Sequence, residues 1–141
     1  MSWQVGQRAT RRLTLTADHV EQYARISGDR NPLHFDEGFA ARTKFGRLVV
    51  QGGLTTGLLH ALAAMDLPGP GTVFMSNEWH FTAPVFVGDT IEAEGEIAEV
   101  HPHKPVTKLS VRVTRQDGET VLHGHAWCYT FSPTPAGVTK G

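Results

Sequence analysis

Between Gly53 and Ala64 the chain carries no charged residue, and its leucines, alanines and small residues fall on nearly every side of the helix that this stretch predicts. A helix that is apolar all round is a buried helix, either inside a protein or inside a bilayer. The surrounding apolar stretch from Leu54 to Leu67 is interrupted by His60 and Asp66 and falls short of the roughly 20 residues that a membrane span needs. The helix therefore requires sheet wrapped around it. A chain of 141 residues is long enough for one such core and too short for two typical domains.

The second half of the sequence supplies the sheet. From Val73 to Phe81 the odd positions Val73, Met75, Trp79 and Phe81 are apolar and are expected to face the core, with Ser76, Glu78 and His80 on the other face. Ile91, Ala93 and Ile97 alternate with glutamates, and Leu109, Val111 and Val113 alternate with Lys108, Ser110 and Arg112. Asp117-Gly118 predicts a hairpin before a last strand over Thr120 to Phe131, in which Gly124, Ala126 and Cys128 form a small-residue register suited to lying under the helix. Upstream, Thr16 caps a helix containing Val20, Tyr23 and Ala24 that ends at Gly28; a short helix follows near Glu37 to Ala41, and Leu48 to Val50 is extended. The expected order is a strand, helices, then an antiparallel meander: an α+β domain over residues 1–132, with 133–141 as a flexible tail.

Composition excludes several functions. Thirteen Lys and Arg balance fourteen Asp and Glu without a basic run, so nucleic acid is not an expected partner. Met1-Ser2-Trp3-Gln4 does not begin a secretory signal, and the expectation is a soluble, cytoplasmic protein that does not enter a membrane. Cys128 is the single cysteine, which rules out an internal disulfide and any multi-cysteine metal site. His101-Pro102-His103 and His123-Gly124-His125 could each present two imidazoles. The first pair flanks a proline in a turn, and the second shares the outer sheet register with Trp127 and Tyr129, so no metal site is expected. No glycine-rich nucleotide fingerprint occurs in a strand–loop–helix context, and no cofactor is implied.

The chemistry is concentrated in Asp29-Arg30-Asn31-Pro32-Leu33-His34, a carboxylate and an imidazole five positions apart on a stretch that Pro32 keeps from running as regular helix. Read singly, Asp29 is a turn residue and His34 a part-buried histidine held by backbone. Read together, they can move protons. Gln51-Gly52-Gly53-Leu54 opens the central helix, whose first N–H groups and positive dipole end suit an oxyanion.

The run from Tyr23 to Asp36, Tyr-Ala-Arg-Ile-Ser-Gly-Asp-Arg-Asn-Pro-Leu-His-Phe-Asp, resembles the hydratase signature of the MaoC-like family, which includes the R-specific enoyl-CoA hydratases. Gln51-Gly52-Gly53-Leu54 is similar to that family's glycine-containing helix start, and Pro84-Val85-Phe86-Val87-Gly88-Asp89-Thr90-Ile91 to its strand–turn motif, so that the resemblance extends from about Val5 to Phe131. It implies a hotdog fold, in which an antiparallel sheet wraps one long helix, and a homodimer. It also implies hydration of a trans-2-enoyl thioester of coenzyme A, or of an acyl carrier protein, to the (R)-3-hydroxyacyl product. Asp29 and His34 match the catalytic pair, Gly52 the oxyanion-holding N–H, and Asn31 a supporting position.

Three residues depart from the pattern. Gln51 stands where the family commonly has histidine, which keeps hydrogen bonding and loses titration, so its expected role is structural. Gly53 replaces a residue that is often methionine and is expected to enlarge or loosen the acyl channel. His60 lies where relatives often carry a small hydroxyl residue, as a core histidine or as one that touches substrate. Arg30, Arg47, Lys104 and Lys108 are candidates for the phosphates of coenzyme A, with solvated surface as the simpler reading. Two other activities stand beside hydration: a hotdog thioesterase, and a non-catalytic module that binds acyl thioesters.

Overall fold

A computed structural model describes residues 2–133. Five strands, β1 (Arg8–Thr14), β2 (Thr72–Phe81), β3 (Thr90–Val100), β4 (Val106–Arg115) and β5 (Thr120–Thr130), form one antiparallel sheet in the order β1-β3-β4-β5-β2. The alternation in β3 and β4 sets which face is buried: Ile91, Ala93, Ile97, Leu109 and Val113 are fully enclosed while the glutamates of β3 line the other side. Only β3, β4 and β5 make the expected meander. β2 precedes them in the chain but pairs with the far side of β5, so the connection from β2 to β3 crosses the sheet.

Four helices lie between β1 and β2: α1 (Ala17–Ser27), α2 (Pro32–Phe35), α3 (Glu37–Ala41) and α4 (Gly52–Ala61). Thr16 and His19 close a reciprocal cap at the start of α1, and Gly28 ends it with φ of 82°, a left-handed conformation that glycine adopts without steric cost. The central helix differs from its expected bounds: it starts at Gly52, and its last turn, Leu62–Asp66, widens into a π-helical turn. Leu58, Leu59, Leu62 and Ala63 pack into one core with the inner faces of β3, β4 and β5, where Ala126 and Cys128 lie beneath them as expected. Gly57 and His60 are exposed, so the helix is buried on most sides rather than all.

In β2 the expected register holds only past a bulge. The pairing with β5 shifts between Phe74 and Ser76. Before the shift Phe74 packs on the core, while Val73 and Met75, expected inside, are 50% and 53% exposed; after it Trp79 faces inward, but Phe81, also expected inside, is 57% exposed at the strand end. One extra residue reverses every side chain on one side of it, because the side-chain period of a strand is two. β2 is thus an open sheet edge with apolar side chains along it. No helix among the described residues is long and apolar enough to cross a membrane. Apart from Pro133, the expected tail lies outside the described residues.

Candidate active site

The Asp29–His34 stretch is not all loop. Asn31 is extended, as a residue before proline should be, and its side chain accepts from the Leu33 N–H; Pro32 then occupies the first position of α2, which carries His34. Asn31 thereby caps the turn that presents the imidazole, and its own N–H donates to Asp29 Oδ1 at 3.3 Å. His34 is 8% exposed, and its Nδ1 lies 2.7 Å from the Val49 carbonyl oxygen. A carbonyl can only accept, so Nδ1 carries the proton and Nε2 presents a lone pair when the ring is neutral. Nε2 stands 3.6 Å from Asp29 Oδ1. That separation is too long for a direct hydrogen bond and short enough for one water to touch both atoms. Val49, read only as extended chain from the sequence, is what fixes the tautomer; its bridge to Phe86 holds the segment in place.

Gln51 is fully buried and joins three parts of the site. Its Nε2 donates to the Val20 carbonyl of α1 at 3.0 Å and reaches the Asp29 carbonyl at 3.5 Å, while its backbone is the N-cap of α4. Its Oε1 has no hydrogen-bond partner among the described residues. At the start of α4 the N–H groups of Gly52 and Gly53 have no acceptor among the described residues, the condition in which a helix start can hold an anion. A side chain at 52 would meet the Phe81 ring, with Cε1 3.2 Å from the position of its Cβ.

Gly53 does not open a channel. Its missing side chain leaves room for Tyr23: a Cβ at 53 would overlap the Tyr23 hydroxyl and Cζ and come within 2.7 Å of Cε2. The sequence pattern placed Tyr23 on the apolar face of α1 but carried no sign of what its hydroxyl reaches. His60 is exposed, with its ring 4.7 Å from that of Phe74, which in turn meets Trp79 edge-on at 5.8 Å.

A cavity of about 520 Å³ adjoins the helix start, lined by Gly52, Thr55, Val50, Phe81, Val85 and Phe86 among others. It is mainly apolar, with Lys44 the one charged residue among the described residues of its lining. Asp29, His34, Gly53 and His60 are not part of that lining. The cavity and the Asp29–His34 pair meet through segment 49–52, in which Val49 lines the cavity and its carbonyl holds His34. Of the four candidate phosphate cations, Arg30 pairs with Glu21 at 3.0 Å and holds that carboxyl below the usual carboxylate range, and Lys108 pairs with Glu99 at 3.4 Å. Arg47 instead lies over the Phe86 ring at 3.9 Å, beside the cavity, and Lys104 lies within the exposed β3–β4 turn.

This arrangement has known counterparts. The model of the MaoC like domain matches residues 4–121. A 3-hydroxybutyryl-CoA dehydratase of Methylorubrum extorquens is 42% identical over 112 residues, covering 79% of this chain and 71% of that protein. An (R)-specific enoyl-CoA hydratase of Aeromonas caviae is 38% identical over 125 residues, covering 89% and 93%. The solved structure of the A. caviae (R)-hydratase involved in PHA biosynthesis superposes with a TM-score of 0.88 at 37% identity, covering 92% of this chain and 98% of that one. The five-stranded antiparallel sheet packed on α4 is the hotdog fold, and the chain belongs to the MaoC-like family, among its hydratases and dehydratases.

Proposed function

We propose that the protein reversibly hydrates trans-2-enoyl-CoA to (R)-3-hydroxyacyl-CoA, with Asp29 and His34 as the proton-transfer pair and the Gly52 N–H as oxyanion donor. The observation that carries this reading is the 3.6 Å gap between Asp29 Oδ1 and a His34 Nε2 whose lone pair is set by the Val49 carbonyl. A water in front of both atoms is oriented by the carboxylate and can lose a proton to the imidazole. Its oxygen bonds to C3, the C2–C3 π pair moves onto the thioester oxygen as an enolate, and the pair returns one proton to C2. The substrate gains one water in all, and no redox step is needed. A well-aimed N–H at Gly52 stabilises the enolate oxygen by about 3 kcal/mol. The A. caviae relative is named an (R)-specific enoyl-CoA hydratase and the M. extorquens relative a 3-hydroxybutyryl-CoA dehydratase, names that support this reading.

The working unit in this reading is a homodimer. The open β2 edge, with Val73, Met75 and Phe81 exposed along it, is the surface that a second copy would cover.

The test is turnover of crotonyl-CoA, following enoyl absorbance and free thiol together. Absorbance loss without thiol release, lowered about 10²-fold or more in Asp29→Asn and in His34→Ala with the fold intact, is the expected result. Thiol release would make the protein a thioesterase. Binding of enoyl-CoA without turnover, across acyl lengths, would make it a carrier module. Near-normal activity in either folded variant would reject the pair.

A further inference from the structure

Tyr23 belongs to no part of the chemistry so far, yet its side chain ends at the start of α4. Its position is set by two contacts. The Gln51 amide ties the N-cap of α4 to the Val20 carbonyl, and Tyr23 lies three residues further along α1, on the same helical face. Opposite it stands Gly53, where any side chain would collide with the phenol. Glycine at 53 and tyrosine at 23 are therefore one feature: the hydroxyl occupies the place a residue-53 side chain would take, one position from Gly52.

The hydroxyl has no hydrogen-bond partner among the described residues; the one side-chain bond to Tyr23 goes from Ser27 Oγ to its backbone carbonyl. Ser27 Oγ in turn accepts from the Asp29 N–H at 3.0 Å, so the turn that carries Tyr23 also braces the catalytic loop. Two unpaired backbone donors, at Gly52 and Gly53, and one unpaired O–H thus gather at the positive end of the central helix. Tyr23 is half-buried and, like Asp29 and His34, stands outside the lining of the cavity of about 520 Å³, which it approaches from the α1 side of the helix start.

We propose that the Tyr23 hydroxyl is a second donor to the thioester oxygen, acting beside the Gly52 N–H through the space that Gly53 leaves. The inference rests on the hydration reading above. A neutral O–H donates to the carbonyl of the substrate and more strongly to the enolate oxygen, so it favours the transition state over the bound substrate. The phenol keeps its proton throughout and adds no step to the reaction.

The test is Tyr23→Phe, which keeps the ring against Gly53 and removes only the oxygen. The expected result is a fall in kcat of about tenfold or more, with KM changed less than about threefold and thermal stability unchanged, the pattern of an interaction made mainly in the transition state. A kcat within twofold of wild type would overturn the proposal. A purely packing role would move stability or KM instead. A second readout is the carbonyl stretch of crotonyl-CoA bound to the slow Asp29→Asn variant: adding Tyr23→Phe should raise its frequency, and an unchanged frequency would overturn the assignment. Failure of the two readings is separable. No hydration by the wild-type protein of short- or medium-chain enoyl-CoA would overturn the hydration reading and Tyr23's role with it, whereas wild-type hydration matched by Tyr23→Phe would overturn Tyr23 alone.

Discussion

Gln51 separates what a buried amide does for stability from what it does for the site, and two substitutions resolve the two. Gln51→Ala removes four heavy atoms from a fully buried position, a loss that costs about 2–5 kcal/mol for side chains of this size. The hydrogen bond to the Val20 carbonyl adds about 1 kcal/mol, and removing the unpartnered Oε1 returns about 1–3 kcal/mol. The net is a destabilisation of about 3 kcal/mol, or roughly 10 °C in Tm for a domain of this length. Gln51→Met keeps the volume and removes both the donor and the orphaned oxygen, so the last two contributions stand alone and nearly cancel. Its Tm should stay within about 3 °C of wild type. Both variants release the Asp29 carbonyl and the N-cap from α1, and both should lose about tenfold in hydration rate, less than the loss expected on removing Asp29 or His34. Urea denaturation and crotonyl-CoA kinetics on the same preparations decide the matter. A rate loss in Gln51→Met equal to that of Asp29→Asn would mean that the amide touches the chemistry, and a Met variant as unstable as the Ala variant would refute the volume argument.

Three further outcomes follow from the packing. Gly124→Ala places a Cβ on the Glu78 carbonyl of β2, where backbone cannot yield cheaply, and should cost about 3 kcal/mol and loosen the β2–β5 pairing; Tm and amide exchange of β2 check it, and an unchanged Tm would contradict the close approach. Met75→Lys puts a charge on the exposed β2 edge and should shift the protein toward monomer in sedimentation at low concentration; an unaltered dimer would place the interface elsewhere. Burial pushes the Cys128 thiol up to about 11, so at pH 8 it should react with a disulfide reagent only on unfolding; with a folded-state value above the unfolded one, its contribution to stability is full below the ordinary thiol pKa of about 9 and is lost as pH rises from there toward 11. Prompt reaction of the native protein would refute the burial.

The parts legible in the sequence are those with a local cause. The alternation of Ile91, Ala93 and Ile97 could only be a strand with one buried face, and Asp117-Gly118 could only turn the chain back on itself. Thr16 and Gly28 bounded α1 because capping groups act within one turn. The β2 register was not legible, because a bulge depends on the partner strand and leaves no mark in the pattern of one strand alone. The same holds for the position of β2: a strand that follows a helix gives no sign of which edge it will join.

In the site, residue types were legible and their couplings were not. Asp29, Asn31, Pro32 and His34 are close in sequence, and their spacing is enough to bring a carboxylate near an imidazole. The groups that make the pair specific come from farther away: the Val49 carbonyl, fifteen residues on, which selects the histidine tautomer, and Gln51, which ties the loop to two helices. Gly53 makes the same point most sharply. In sequence it is an absence, a side chain removed from a channel, whereas in the fold it is the complement of Tyr23, thirty residues earlier. A small residue means open space only when no neighbour has grown into it. Substituting Gly53 alone would therefore not restore a more typical helix start; it would displace the phenol, so any account of this site must treat positions 23 and 53 as a single choice.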